Sequence, residues 1–426
     1  MNIRFYNAKI LAMHNSSEII DGELWVEEKR IVYVGENKTS NEIAWDREID
    51  VEGNLILPGF KDAHTHSAMT FLRSYADGLE LSDWLQQKVF PMEDKLTFDD
   101  VEWLTKLAIL EYLSTGVTAC FDMYLYPEAN IKAAIETGFR ITISCGMNDY
   151  FYTIDEVEKW YCKYNNYHEL VKFQLGLHSE YTARTELVDQ MAQLAHKYQA
   201  PVFLHCSETE EEVKACIQRN GTTPIEYLNE HGIFDYGGGG YHCVHVNHRE
   251  LQIMAQKHVY AITNPASNLK LGSGIAPIRD FIKYNIPVAI GTDGAASNNA
   301  LDMFREMYLT SVLSNILVHD ALTVDPRLVI QMATVNGARA MGLTDCDILA
   351  EGKYADLVIL DLHKPNMQPE NNIIKNIVYS GSKYNVKMTM VNGKILYENG
   401  TYHIGTEEKV IYEKANQIIQ RIKKEI

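Results

Sequence analysis

The 426-residue sequence predicts an α/β chain: a (β/α)8 barrel accompanied by a small β domain assembled from both termini. Three observations carry this expectation. Apolar strand-like runs alternate with helical segments through the middle of the chain, strand-rich stretches with turn signals occupy both ends, and several central runs close on His or Asp. Strand–helix alternation at this interval gives a parallel sheet with crossover helices.

The central runs are 117–123, 140–146, 172–178, 201–207, 239–246, 260–267 and 287–293, with helix-like segments such as 99–116, 186–198 and 208–219 between them. Counting LPGF at 57–60 as the first strand gives eight, the number that closes such a barrel. Residues 1–56 read as an antiparallel meander around the turns Asp21-Gly22 and Gly35. That piece is too small to bury a core of its own. Its expected partner is 354–405, again strand-rich, with a hairpin turn at Asn392-Gly393. The expected division is therefore 1–56 and 354–405 for the β domain, 57–353 for the barrel, and 406–426 for a terminal helix. In that helix Ile411, Ala415, Ile418 and Ile422 recur at helical spacing and form a packing face, on the body or on a second subunit. Gly237–Gly240 reads as a flexible turn; no Lys-Ser/Thr follows, so it is not a phosphate loop.

Composition sets the outer limits. A net charge of −18 argues against nucleic acid or an anionic membrane as a standing partner, since both are polyanions. No apolar stretch approaches the length of a membrane span. The seven cysteines are scattered and never form a CxxC pair, which fits reduced thiols in a cytoplasmic protein.

The chemistry gathers around LPGFKDAHTHSAM, residues 57–69. His64 and His66 stand one residue apart, so on a strand both imidazoles face the same side, a common beginning for a zinc-type site. Barrel chemistry sits at the C-terminal ends of strands, and His178, His205, His242 and Asp293 all stand where strands should end. The expected metal ligands are His64, His66, His205 and Asp293, the last in GTDGAASNN, where small residues admit close backbone approach. A divalent ion lowers the pKa of bound water toward ~7, and hydroxide attack on a ring or amide carbon then needs a proton carrier. Glu208, three residues past His205, is placed for that task. His242 and His245 are both candidates to orient the water or polarise the reacting centre.

These motifs carry a resemblance over nearly the whole length: PGFKDAHTHSAM, WLQQKVFPMED, GLHSEYT, HCSE, HCVH, NPASNLKLGSGIAP and GTDGAASNN. Together they resemble the amidohydrolase superfamily, in its mononuclear branch of aminohydrolases and chlorohydrolases, and within it the S-adenosylhomocysteine/5′-methylthioadenosine deaminases. The resemblance implies a distorted barrel flanked by a β-sandwich built from both termini. It implies one zinc or iron ion on His64, His66, His205 and Asp293, without a bridging carbamylated lysine; the donor set itself also suits manganese. By the same resemblance Glu208 shuttles the proton, His242 orients the water, and Asp293 accepts the water's proton. Glu93 would accept ribose hydroxyls, Trp84 would pack on the nucleoside, and His178 would contact the purine. Two arginines that hold an amino-acid carboxylate in the family are missing: Cys145 stands at one place, and no arginine lies between Arg140 and Arg184. Weak activity on S-adenosylhomocysteine is therefore expected, with Tyr150, Phe151 and Tyr152 forming an apolar 5′ pocket. The partners implied are a small heterocyclic substrate and further copies of the chain, as a dimer or tetramer. Two other readings compete with an adenine-nucleoside deaminase. One is a guanine, pterin, cytosine or s-triazine hydrolase; the other is a non-catalytic scaffold.

Overall fold

The computed structural model describes residues 1–14, 18–38, 43–75, 78–79, 81–321 and 323–426, apart from the side chains of 81 and 82. Two parallel sheets form its centre. One holds four strands, Phe60–Thr65, Val117–Met123, Arg140–Ser144 and Val171–Phe173. The other holds five, Leu175–Ser179, Val202–Cys206, Gly238–His242, Val259–Thr263 and Val288–Ile290. Val171–Phe173 and Leu175–Ser179 are halves of one expected run, broken at Gln174, whose N–H donates to the Ile143 carbonyl at 2.8 Å. The second half stays tied to the first sheet, because the His178 N–H donates to Met147 O at 2.9 Å. At the opposite seam the Asp293 N–H donates to His64 O at 2.8 Å, and the Asp62 carboxylate accepts the Thr292 N–H at 2.8 Å. Gly291 permits this approach, since a Cβ there would lie 2.6 Å from the His64 nitrogen. The eightfold pattern thus folds as a distorted barrel, joined at two seams by a few hydrogen bonds instead of one continuous ladder. Phe121, Phe203, Tyr241, Ile262 and Ala289 fill its interior.

The expected first strand is displaced. Leu55–Pro58 pairs antiparallel with Leu357–Leu360, in the sheet built from the termini. The barrel strand begins after it, at Phe60. The Gly59 N–H still donates to Asp356 O, whereas the Phe60 N–H donates to Gly116 O, so the chain changes sheets across one peptide unit. In the sequence Pro58-Gly59 marks a break but gives no sign that the strands on either side belong to different sheets. The glycine run is also corrected: Gly238, Gly239 and Gly240 belong to the strand Gly238–His242. A Cβ on Gly238 would lie 2.0 Å from Val202 O, so bare backbone is what lets these strands pair.

Strands from both ends form one nine-stranded mixed sheet. Asn2–Ile10, Ile20–Glu27 and Arg30–Gly35 are the expected antiparallel meander, but Arg47–Asp50 and Leu55–Pro58 both run parallel to Asn2–Ile10. The sheet curls on itself. The Ile31 N–H donates to Lys353 O and the Ala355 N–H to Lys29 O, both at 2.9 Å, around a core that includes Phe5, Leu24, Ile56, Leu357 and Met390. Asn392 and Gly393 have φ of 51° and 74°, the left-handed pair that a tight hairpin requires. The terminal helix Glu408–Glu425 buries Ile411, Ala415, Ile418 and Ile422 on the body of the chain, against the helix Phe98–Ser114. No helix among the described residues is long and apolar enough to cross a membrane.

Candidate active site

Strand ends bring the polar groups together. His64 and His66 leave the first barrel strand with ring centroids 4.9 Å apart. His205, on Val202–Cys206, lies 4.8 Å from His64 and 5.4 Å from His66. Asp293 follows the last strand, and its Oδ1 stands 3.3 Å from His66 Nε2 and 3.9 Å from His64 Nε2. The backbone at these ends is strained: Ser207, His242, Cys243 and Asp293 have φ of 53°, 70°, 46° and 61°. Non-glycine residues adopt the left-handed region at a cost, and such positions cluster where geometry serves function.

The supporting hydrogen bonds orient the rings. Met123 O lies 2.5 Å from His66 Nδ1, and His178 O lies 2.7 Å from His205 Nδ1. A carbonyl only accepts, so each Nδ1 carries its proton and leaves an Nε2 lone pair free. Asp293 Oδ2 accepts the hydroxyls of Ser267 and Ser297 at 2.5 and 2.9 Å, and Oδ1 accepts the Gly294 N–H at 2.7 Å. Burial opposes its charge, but His66 and His242 outweigh this and hold the carboxyl below its usual range. Burial first, and neighbouring histidines second, push His64 and His205 well down, so both imidazoles are neutral, the form that ligates a metal.

His64 supplies the test of fit. It is fully buried and stacked on Tyr241 at 3.8 Å, and neither ring nitrogen has a hydrogen-bond partner among the described residues. An orphaned buried polar atom costs about 1–3 kcal/mol. A cation shared with Asp293 would satisfy one of the two. Three imidazoles and a carboxylate suit zinc, iron or manganese. His242 is also close, with one of its ring nitrogens within 4.8 Å of nitrogens of His64 and His205. Its Nδ1, however, is hydrogen-bonded to Asn268 Oδ1 at 2.7 Å, and its Nε2 faces Glu208 Oε2 at 3.7 Å. Burial works against a charged His242, yet Glu208 and Asp293 raise it above its ordinary value. Burial pushes the Glu208 carboxyl up, with His242 opposing. His245 does not line the cavity; its Nε2 donates to Ser273 O at 2.7 Å.

A cavity of about 480 Å³ opens over this cluster, and Trp84, Glu93 and His178 all line it. Trp84 also packs with Val89 and Met92, so it is both wall and core. The Glu93 carboxylate accepts the Tyr124 hydroxyl at 2.7 Å, and burial pushes it up to about 7. Burial lowers His178 to about 4, and its Nδ1 sits 3.2 Å from the hydroxyls of both Ser179 and Thr182. Cys145, Tyr150, Phe151 and Tyr152 also line it. No lysine or arginine lines the cavity among the described residues, whereas Glu93, Asp94, Glu208 and Asp293 do. Sequence reasoning assigned no role to Tyr124, Ser267, Asn268, Ser273 or Ser297. Ser267, Asn268 and Ser273 lie in NPASNLKLGSG, a stretch quoted above as a motif, so a signal was present; Tyr124 had none.

Comparison with known proteins identifies the family. The Amidohydrolase family profile matches residues 55–396. A 5-methylthioadenosine/S-adenosylhomocysteine deaminase from Thermoanaerobacter pseudethanolicus is 35% identical over 434 residues, covering 99% of this chain and 100% of that protein. One of the same name from Desulfitobacterium hafniense is 37% identical, covering 89% of each. A zinc-bound adenosine deaminase from Xanthomonas campestris superposes with a TM-score of 0.93 at 27% identity, covering 99% of this chain and 98% of that one. An atrazine chlorohydrolase from Arthrobacter aurescens TC1 shares the fold, with a TM-score of 0.90 at 22% identity and 98% and 100% of the two chains covered. With the family profile matched over residues 55–396 and a relative matched over 100% of its length, the chain belongs to the amidohydrolase family and is a hydrolase acting on carbon–nitrogen bonds.

Proposed function

We propose that this deaminase acts on an adenine nucleoside with an uncharged 5′ substituent, of the 5′-methylthioadenosine or 5′-deoxyadenosine type, in preference to S-adenosylhomocysteine. In the net reaction water replaces the amino group on the ring carbon and ammonia leaves. The observation that carries the preference is the cavity wall, where carboxylates occur without any lysine or arginine among the described residues. An amino-acid tail would bring a carboxylate into that wall, and an unpaired charge is expensive to desolvate.

In this reading His64, His66, His205 and Asp293 hold one divalent ion, zinc in the first place, which the zinc-bound relative supports. When bound, such an ion supplies the Lewis acidity that activates water at neutral pH. The residues do the rest. Glu208 carries a proton from water to the leaving side, which suits a carboxyl that burial pushes above its ordinary range. His242 holds the water's orientation from beside Glu208, and Asp293 accepts a proton. Glu93 accepts the ribose hydroxyls, an acceptor suited to a vicinal diol. Trp84 packs on the nucleoside and His178 contacts the purine. All seven cysteines are free, which supports a reducing, cytoplasmic setting. The exposed apolar residues Tyr308, Ile316 and Leu317 support a homo-oligomer.

Ammonia release from 5′-methylthioadenosine, 5′-deoxyadenosine, adenosine, S-adenosylhomocysteine, guanine and an s-triazine tests the reading. The first two should show the highest kcat/KM. Equal efficiency on S-adenosylhomocysteine would end the argument from the cavity wall.

A further inference from the structure

We infer that Ser273 decides which carboxylate oxygen of Glu208 handles the proton, and that His245 seats Ser273 for that purpose; the inference rests on Glu208 being the proton carrier. Glu208 is only 4% exposed, so its few contacts fix it. Its N–H donates to Glu212 Oε2 at 2.7 Å, and the adjoining Ser207 N–H donates to Glu212 Oε1 at 2.8 Å. One carboxylate thus clasps two successive amides and pins the left-handed turn at Ser207, which leaves only the Glu208 side chain to be placed.

Ser273 places it. Its hydroxyl donates to Glu208 Oε1 at 3.0 Å, while Oε2 faces His242 Nε2. An oxygen that already accepts an O–H bond is the weaker base of the two, so the transferred proton resides on Oε2. The step balances within the reaction above: an O–H bond of water breaks as Oε2–H forms, Oε2–H then breaks as an N–H bond forms, and the carboxylate is restored.

Ser273 is itself held on two sides. The His245 Nε2–H donates to its carbonyl at 2.7 Å, and its own N–H donates to Asn268 O at 2.8 Å. The His245 backbone N–H donates to Ser207 O at 2.9 Å, which closes a ring of contacts through Ser207, His245, Ser273 and Glu208. The same segment sends Ser267 to Asp293 and Asn268 to His242. Residues 267–273 therefore touch three groups of the reaction and position them together. Ser273 and His245 are positioning residues, since neither lines the cavity.

The experiment compares wild type, Ser273→Ala and Ser273→Thr on 5′-methylthioadenosine, with kcat, KM, the pH profile, metal content and melting temperature recorded for each. Loss of a hydrogen bond to a charged group predicts a fall of about 10–100-fold in kcat for Ser273→Ala. KM should stay within about twofold and metal content should be unchanged. The limb of the profile set by Glu208 should move to higher pH, because the lost donor favoured the carboxylate. Ser273→Thr, which keeps the hydroxyl, should recover most of the rate. If wild type is active and Ser273→Ala matches it, or if the loss follows metal content or melting temperature without rescue by threonine, the inference falls alone. If wild type releases no ammonia, the functional reading falls first.

Discussion

At the end of the barrel that faces the mixed sheet, Arg140 is 1% exposed and grips Asp356 with two bonds, Nε to Oδ2 at 2.6 Å and Nη2 to Oδ1 at 3.0 Å. A third N–H donates to Glu169 O, and buried Lys61 nearby donates to Gly59 O and Thr118 Oγ1. At the mouth, His64, His205 and His242 pack their rings within 5.7 Å, and His64 keeps both nitrogens unpartnered among the described residues. Both ends bury polar groups in one fold. The lower end satisfies its charges internally and so contributes fixity. The mouth leaves donors and acceptors unsatisfied, and those are the atoms with capacity to bind something else.

Substitutions can break this contrast. The largest effect is expected for Glu208→Gln, which should lower kcat by about 10²–10⁴-fold with melting temperature and bound metal retained, as read by ammonia release and metal analysis. Loss of metal in that variant would make Glu208 a ligand instead. Arg140→Met should act in the opposite sense. It leaves Asp356 buried and unpaired, so a destabilisation of about 3–5 kcal/mol is expected in chemical denaturation, with kcat of the folded fraction unchanged. Ile422→Ala, under the terminal helix, should cost about 2–4 kcal/mol through the cavity it leaves.

The smallest expected effect is one of pH. Burial raises Glu93 to about 7, so its acceptor form is present above that pH and lost below it. KM for a nucleoside should therefore rise as pH falls through about 7, by no more than tenfold per unit, and Glu93→Gln should flatten the dependence. A KM independent of pH in the wild type would remove Glu93 from the ribose.

What was legible in the sequence follows the same division. The convergence of His64, His66, His205 and Asp293 is written in their places at strand ends, because a parallel barrel must gather those ends. The turn at Asn392-Gly393 and the buried stripe of the terminal helix were equally plain, each set by a short-range rule. The passage from one sheet to the other at Gly59 was not, since Pro58-Gly59 signals a break without saying which sheet each side joins. Nor was the parallel pairing of Arg47–Asp50 with Asn2–Ile10, which depends on a partner distant in the chain. Ser267 and Ser273 stand in a motif that marked their segment but not their partners, and Tyr124 had no mark at all, because a single hydroxyl has no periodicity.

Trp84 and Met92, beside the cavity, share an apolar cluster with Ala415, Ile418 and Ile422. The chamber is thus roofed early in the chain and buttressed by residues more than three hundred positions later. A chain cut before that helix would keep every residue of the histidine cluster yet lose part of the apolar backing shared with Trp84 and Met92. The last residues of the sequence thus bear on the firmness of a wall built from its first hundred.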